Sequence, residues 1–333
     1  MTRLLLLALL LAACRAPAVP EDRRFPAGTP FAAHELVVDG TRLRFIDTGR
    51  GRGPPVLLLH GLGASMYAWR KNIASIADAG YRVIAFDNRG FGFSDQPTTG
   101  YDNTAYARLV VALLDSLHLA DAVLIGHSMG GAIAAEVAIE YPRRVGGLVL
   151  IASAGLGARE PLLFRVARWP LLGSIATGLR GRGFTARLLR STYADPRKVT
   201  DSDVDQYYAP VARAGYGDAL RGVLRQFRFD GLGGGRLEHI ACPTLVLWGE
   251  ADRWVPVALG RALAAGIARS ALVIVPHAGH AVQEEAPEEV NRLVIKFLKE
   301  GLPRIPGDLA RQGTWRATRR VVYFVNRLVE KTD

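Results

Sequence analysis

Three separated stretches of the chain carry residue types that together could perform acyl chemistry. Ser128 stands in LIGHSMGG, where a short apolar run ends and the alanine-rich run AIAAEVA begins. A Gly-x-Ser-x-Gly turn between a strand and a helix is sharp, so Gly126 and Gly130 must be small for the two elements to approach, and the serine is held out as a nucleophile. A hydroxyl attacks weakly until a base takes its proton. His280, in VPHAGHAVQEEAP, follows the last apolar run and would stand on a loop at the same sheet edge. His277, three residues earlier, is its rival, and His127 flanks the serine. A base of this kind needs a carboxylate to fix its tautomer. Asp252, in LVLWGEADRWVP, lies past the penultimate apolar run, with Glu250 as competitor.

Acyl transfer also needs donors for a developing oxyanion, each often worth ~3 kcal/mol. In LLLHGLGAS the run Val56–Leu59 leads into His60 and Gly61, which offers the backbone N–H of Leu62. The N–H of Met129, next to the nucleophile, would be its partner. His60 is read as a structural residue shaping this loop. The helix after Ser128 would also direct its positive end at the reacting centre.

The elements that must position these groups alternate. HELVVDG and TRLRFIDTG form a hairpin turning at Asp39-Gly40. Six apolar runs, PPVLLLHG, YRVIAFD, AVLIGHS, GLVLIAS, PTLVLWGE and ALVIVPHAG, have the character of strands buried on both faces. Helical stretches such as YAWRKNIASIADAG and YARLVVALLDSLHL lie between them, which predicts an α/β fold with an open, mostly parallel central sheet flanked by helices. The alternation stops at 153–238, where EPLLFRVARWPLLGSIATGLR, FTARLLRSTY and VDQYYAPVARA read as helices and GLGGG closes the segment. That region is read as a helical cap inserted between core halves 33–152 and 239–300. It would cover the carboxyl ends of the strands, where such sheets bind ligands. Phe164, Trp169, Leu172, Phe184 and Tyr207 are its apolar wall candidates. Residues 301–333 form a basic C-terminal extension. As a helix it would gather Val321, Val322, Phe324, Val325, Leu328 and Val329 on one side, with Trp315 at the edge, and Arg316, Arg319, Arg320, Arg327 and Lys331 on the other.

His60-Gly61, DNRGFGFSD (Asp87–Asp95), GHSMGG, WGEAD and HAGH together resemble the α/β-hydrolase superfamily, in its branch with a helical cap, over about residues 35–300. The resemblance implies Ser128 as nucleophile, His280 as general base and acid, and Asp252 as its orienting carboxylate. The residues around His280 resemble the family's catalytic-histidine loop, and the Gly-x-x-Asp-x-x-x-Pro run from Gly249 to Pro256 puts Asp252 where the family has its acid. In this branch Asp87, Arg89 and Asp95 brace the loop beside the site. Haloalkane dehalogenases and the similar epoxide hydrolases carry an aspartate at the elbow, so Ser128 argues against those chemistries. The expected activity is hydrolysis of a small-molecule carboxylic ester or similar acyl substrate through an acyl-enzyme, carboxylesterase- or lipase-like. C–C bond hydrolysis or perhydrolysis on the same triad is the alternative, and a non-catalytic membrane-anchored binding protein is the alternative of another class.

The amino terminus reads as an export signal. Arg3 precedes an apolar run, Leu4 to Ala13, too short to span a bilayer. LAAC resembles the lipobox of bacterial lipoproteins, which would make Cys14 the lipidated first residue of a chain anchored in the cell envelope. Cleavage after Ala16-Pro17-Ala18 is the soluble, exported alternative, and proline-rich residues 15–32 read as a tether. With 42 Lys and Arg against 31 Asp and Glu, the net charge of +11 favours anionic surfaces of some kind, and the C-terminal helix either packs on the core or lies on an anionic membrane surface. Nucleic acid is not expected, because the arginines are scattered and no zinc-finger or RNA-binding signature is present. No metal or cofactor is expected, and Cys242, in an apolar run, reads as a buried inert thiol.

Overall fold

The computed structural model describes residues 31–49, 51–157, 181–301 and 321–322. The expected export signal, Cys14, residues 15–30 of the expected tether, and Phe164, Trp169 and Leu172 lie outside the described residues. Strands β1 (Ala33–Val38) and β2 (Thr41–Asp47) form the expected antiparallel hairpin, with Val38 paired to Thr41. Asp39 and Gly40 both take positive φ, 47° and 68°, the handedness that suits a two-residue hairpin.

The six apolar runs become β3 (Val56–Leu59), β4 (Val83–Phe86), β5 (Ala122–His127), β6 (Val145–Ile151), β7 (Thr244–Gly249) and β8 (Ser270–Val275). With β9 (Val321–Val322) they form one sheet in the order β1-β2-β4-β3-β5-β6-β7-β8-β9. The pairings β1–β2 and β2–β4 are antiparallel and all others parallel. Every residue of β3, β4, β5, β7 and β8 is buried, the pattern of strands covered on both faces.

Helices α1 (Ile73–Asp78), α2 (Asn103–Ser116) and α3 (Met129–Glu140) alternate with the first core strands. The stretch YAWRKNIASIADAG is not one helix. A 3-10 turn at Met66–Trp69 precedes α1, and Asn72, at the start of α1, makes no side-chain cap, its Nδ2 donating to Gln283 O and Asn291 Oδ1. Between β6 and β7 the described cap contains α4 (Arg182–Ser191), α5 (Asp201–Val211) and α6 (Tyr216–Gln226). Thr200 and Asp203 cap α5 reciprocally. Phe184 is exposed, which removes it from the cap's inner wall. After β7 come α7 (Val257–Gly266), α8 (Val282–Glu285) and α9 (Pro287–Glu300).

One expectation is corrected at the carboxyl end. Val321 and Val322, read as part of an amphipathic helix, pair instead with Ala271 and Leu272 as a short parallel strand. Strand β8 would otherwise end the sheet with unpaired backbone groups, and two β-branched residues suit an edge better than a helix. The rest of that extension lies outside the described residues, among which no helix is long and apolar enough to cross a membrane.

Candidate active site

Ser128 sits between β5 and α3 at φ 52°, ψ −118°. For a residue with a Cβ this costs about 1–3 kcal/mol, and it persists only where the surroundings hold it. Here the Ser128 N–H donates to Ile151 O, and Ser128 O accepts from Gly131, Ala132 and Ala154. The glycines make the approach possible. A Cβ on Gly126 would lie 2.3 Å from Gly130 O, and one on Gly130 would lie 2.2 Å from Leu59 O. Ser128 is half-buried, while both its neighbours are buried.

The other two sequence candidates meet on the loops after β7 and β8. His280 Nδ1 lies 2.9 Å from Asp252 Oδ2, with both side chains almost fully buried. Asp252 Oδ1 accepts from the N–H groups of Trp254 and Val255 at 2.8 and 2.9 Å. The strand ends touch through a glycine, since a Cβ on Gly249 would lie 2.0 Å from Gly279 O. The rivals fall away. His277 is exposed on the outer side of the turn, and its N–H faces Glu250, which is exposed as well.

His127 joins the two halves of the site. Its Nε2 lies 3.0 Å from the carbonyl oxygen of His280, and the two imidazoles stand 4.8 Å apart. A carbonyl only accepts, so Nε2 carries the proton and Nδ1, buried without a partner, is the bare nitrogen. Burial, and secondarily His280, holds the His127 pKa well below the ordinary histidine value, so the ring stays neutral.

The loop after β3 closes the site from the other side. A Cβ on Gly61 would lie 3.1 Å from both Ser128 Cβ and His127 Nδ1. The N–H of Leu62 follows directly on this loop, and the N–H of Met129 opens α3, where the first-turn N–H groups have no intrahelical acceptor. His60 has a structural environment. Its Nε2 accepts from Asn88 N–H at 2.8 Å and its Nδ1–H donates to Gly61 O at 2.8 Å. Burial lowers its pKa to about 4 against the pull of the Gly61 bond. Asp87 braces the same loop by accepting from Met66 and Phe93 N–H, Arg89 reaches Thr41 and Gly100 O, and Asp95 holds Arg42. Cys242 is half-buried, and burial pushes its thiol pKa up.

Several groups around the site carry no isolated sequence signal. Trp254 stacks on His280 at 6.2 Å and 21° and donates Nε1–H to Ser191 O at the end of α4. Arg70 forms ion pairs with Asp203 of the cap and with Glu284 beside the His280 loop. Tyr207 OH donates to Glu284 Oε1 at 2.6 Å, so this cap residue packs into the network. The adjoining acids Glu284-Glu285, just after His280, are a hint in hindsight: both are buried. Among the described residues no group of three or more His, Cys, Asp or Glu could hold a metal ion.

Known proteins share this arrangement of elements. The family model for the alpha/beta hydrolase fold matches residues 54–287. The 2-hydroxy-6-oxo-6-phenylhexa-2,4-dienoate hydrolase of Comamonas testosteroni is 33% identical over 267 residues, covering 75% of this chain and 89% of its own. The solved meta-cleavage product hydrolase of Pseudomonas fluorescens IP01 superposes with a TM-score of 0.70 at 27% identity, over 81% of this chain and 98% of that one. A membrane phospholipase A described as a bacterial virulence factor superposes with a TM-score of 0.69 at 29% identity, over 88% and 91%.

Proposed function

We propose, from the premise that this chain belongs to the α/β-hydrolase family, that it hydrolyses a bond beside a carbonyl group with Ser128 as nucleophile. His280 is the general base and acid, Asp252 orients it, and the N–H groups of Leu62 and Met129 receive the oxyanion. The observation that carries this reading is the Asp252–His280 bond standing next to the strained Ser128 turn. Carboxylate to Nδ1 leaves Nε2 as the nitrogen free to take the serine proton.

Of the acyl chemistries open to such a site, carbon–carbon hydrolysis of a conjugated oxo-dienoate has the stronger support from the relatives, which match over most of their own length. Ser128 Oγ bonds to the carbonyl carbon as His280 takes its proton. In the keto tautomer of such a substrate, where the proton of the 2-hydroxyl has moved to C5, the tetrahedral adduct collapses by breaking the C5–C6 bond, and the electron pair enters the adjoining enone as a dienolate. The imidazolium gives its proton to the dienolate oxygen, so that a hydroxydienoate leaves. Water, deprotonated by His280, next cleaves the acyl ester, releasing a carboxylic acid and the free serine.

Ester hydrolysis at a membrane is the second reading, favoured by the likeness to the membrane phospholipase over 88% of the chain. It accords with a proposed export of the protein and lipidation at Cys14, which mass spectrometry of the mature amino terminus would test: an unmodified start at Val19 contradicts the lipidation and leaves the export standing. The two activities separate in one experiment. The protein and its Ser128→Ala variant are offered 2-hydroxy-6-oxo-6-phenylhexa-2,4-dienoate and a p-nitrophenyl ester series. Loss of the dienoate's visible absorbance, abolished in the variant, supports C–C hydrolysis. Turnover of esters alone transfers the reading to an esterase, and turnover unchanged in the variant removes Ser128 from the reaction.

A further inference from the structure

We propose that Glu285 is a positioning residue for His280, tying the loop that carries the base to the cap. The inference rests on the reading of His280 as general base. Glu285 is 4% exposed, and among the described residues no ion pair is made by its carboxylate, Lys198 Nζ donating instead to its backbone carbonyl at 3.1 Å; the carboxylate is filled by three backbone donors. Oε2 accepts from Gly279 N–H at 2.7 Å and from Ala194 N–H at 2.9 Å. Oε1 accepts from Asp195 N–H at 2.8 Å. One donor immediately precedes His280, and the other two belong to the cap segment after α4.

The same segment grips the base from its other side. Ala281 N–H donates to Thr192 O at 3.1 Å, so the peptides before and after His280 are both linked to residues 192–195. The carbonyl of His280 itself is held by His127. The surfaces are in contact throughout, since a Cβ on Gly279 would lie 2.6 Å from Ala194 N and from Thr192 O. Trp254, two residues after Asp252, is bonded to Ser191 in the same stretch. Displacement of residues 191–195 therefore moves the loops of both the acid and the base, and Glu285 is the only side chain among these links to bridge cap and base-loop donors with one carboxylate.

A carboxylate suits this role better than its amide. Three N–H groups converge on two oxygens, and in Glu285→Gln one oxygen becomes an NH2 that faces a donor. The buried donor left unsatisfied pushes the loop aside. Small displacements of a catalytic group can cost about 10²-fold in rate.

The test uses full-length protein labelled with 15N-histidine, in the parent, Glu285→Gln and Asp203→Asn forms. Asp203→Asn removes the cap's ion pair with Arg70 and leaves Glu285, Thr192 and His127, the groups bonded directly around His280, unaltered. Each form is followed by thermal unfolding, by the low-field Nδ1–H proton of His280 and by the rate at which a fluorophosphonate labels Ser128 from pH 5 to 9. In Glu285→Gln the labelling rate is expected to fall about 10²-fold, with the low-field proton displaced and the acid limb of the rate profile shifted. In Asp203→Asn the melting temperature falls while rate and resonance stay with the parent. Should Glu285→Gln not fold, Glu285→Asp, which withdraws the carboxylate by one methylene, is expected to show the same losses. A parental labelling rate and resonance in a folded Glu285 variant overturn the proposal while leaving the hydrolase reading intact. A folded parent that never labels at Ser128 overturns both.

Discussion

Asp252 gives one carboxylate oxygen to His280 Nδ1 at 2.9 Å and the other to the N–H groups of Trp254 and Val255. The carboxylate is thereby clamped on its own loop and can only accept from the imidazole. In the proposed mechanism that arrangement keeps the proton on Nδ1 and the lone pair on Nε2. Asp252→Asn preserves the shape but places an NH2 against either Nδ1 or the two backbone donors. Turning the NH2 toward Nδ1 favours the wrong tautomer. The expected result is a fall in kcat of ~10⁴-fold with a small change in melting temperature. Steady-state kinetics on whichever substrate the parent turns over, beside thermal unfolding, checks it. A loss below tenfold would remove Asp252 from the proposed triad.

Acid stability should depend on His60. The folded protein binds a proton at His60 only at about pH 4, whereas the unfolded chain binds it near 6.5. Between those values the unfolded state holds more protons, so stability is full above about 6.5 and is lost as pH falls towards 4. The slope is about 1.4 kcal/mol per pH unit for each such histidine. His127 is shifted in the same direction and adds to it. Urea unfolding at intervals from pH 4.5 to 7.5 is expected to give a slope shallower by about that amount in His60→Gln. The variant itself loses the Asn88 bond and should be less stable than the parent at pH 7.5. An unchanged slope would mean that His60 titrates alike in both states.

Much of this was legible in the sequence, for physical reasons that differ by element. Strands β3 to β8 announce themselves because burial on both faces demands unbroken apolar runs. Ser128 is legible because only a glycine-flanked turn lets strand and helix meet so closely. The choice of His280 over His277 and of Asp252 over Glu250 drew on resemblance, and their environments follow from tertiary contact: one pair is buried and bonded, the other exposed. Arg70 was not legible, and Glu285 only as one of two adjoining acids near His280 whose role the sequence does not give. A buried acid reads like a solvated one until the backbone donors of Ala194 and Asp195, some 90 residues away, are brought to it. The pairing of Val321 and Val322 was missed because period alone cannot weigh an open sheet edge against a helix.

The close approach at the elbow gives a steric prediction. A Cβ at Gly130 would stand 2.2 Å from Leu59 O and 2.6 Å from His60 O, both backbone atoms with little freedom to yield. Gly130→Ala must therefore push α3 away from β3 and the loop that carries Leu62. Overpacking of this kind costs about 1–3 kcal/mol and is felt at the two proposed oxyanion donors together. The urea midpoint should fall, and labelling of Ser128 by a fluorophosphonate should slow even in the folded fraction. Parental stability would show that the helix can shift without cost.

The ion network under the cap yields the last prediction. Arg70 pairs with Asp203 at 2.7 Å and with Glu284, and its own side chain is 7% exposed against 9% and 2% for the two acids. Tyr67 and Tyr207 add their hydroxyls to the same carboxylates. Arg70→Met leaves two buried acids facing one another with no cation between them. Breaking such a group from one side costs about 3–5 kcal/mol, because the remaining charges are stranded. Neutralising the acids as well, in Arg70→Met/Asp203→Asn/Glu284→Gln, should recover much of that loss, since the penalty lies in uncompensated charge rather than in lost attraction. Denaturant unfolding of the single and triple variants checks the order. A triple variant less stable than Arg70→Met would show instead that the hydrogen bonds of Tyr67 and Tyr207 to the carboxylates are what hold the cap to the core.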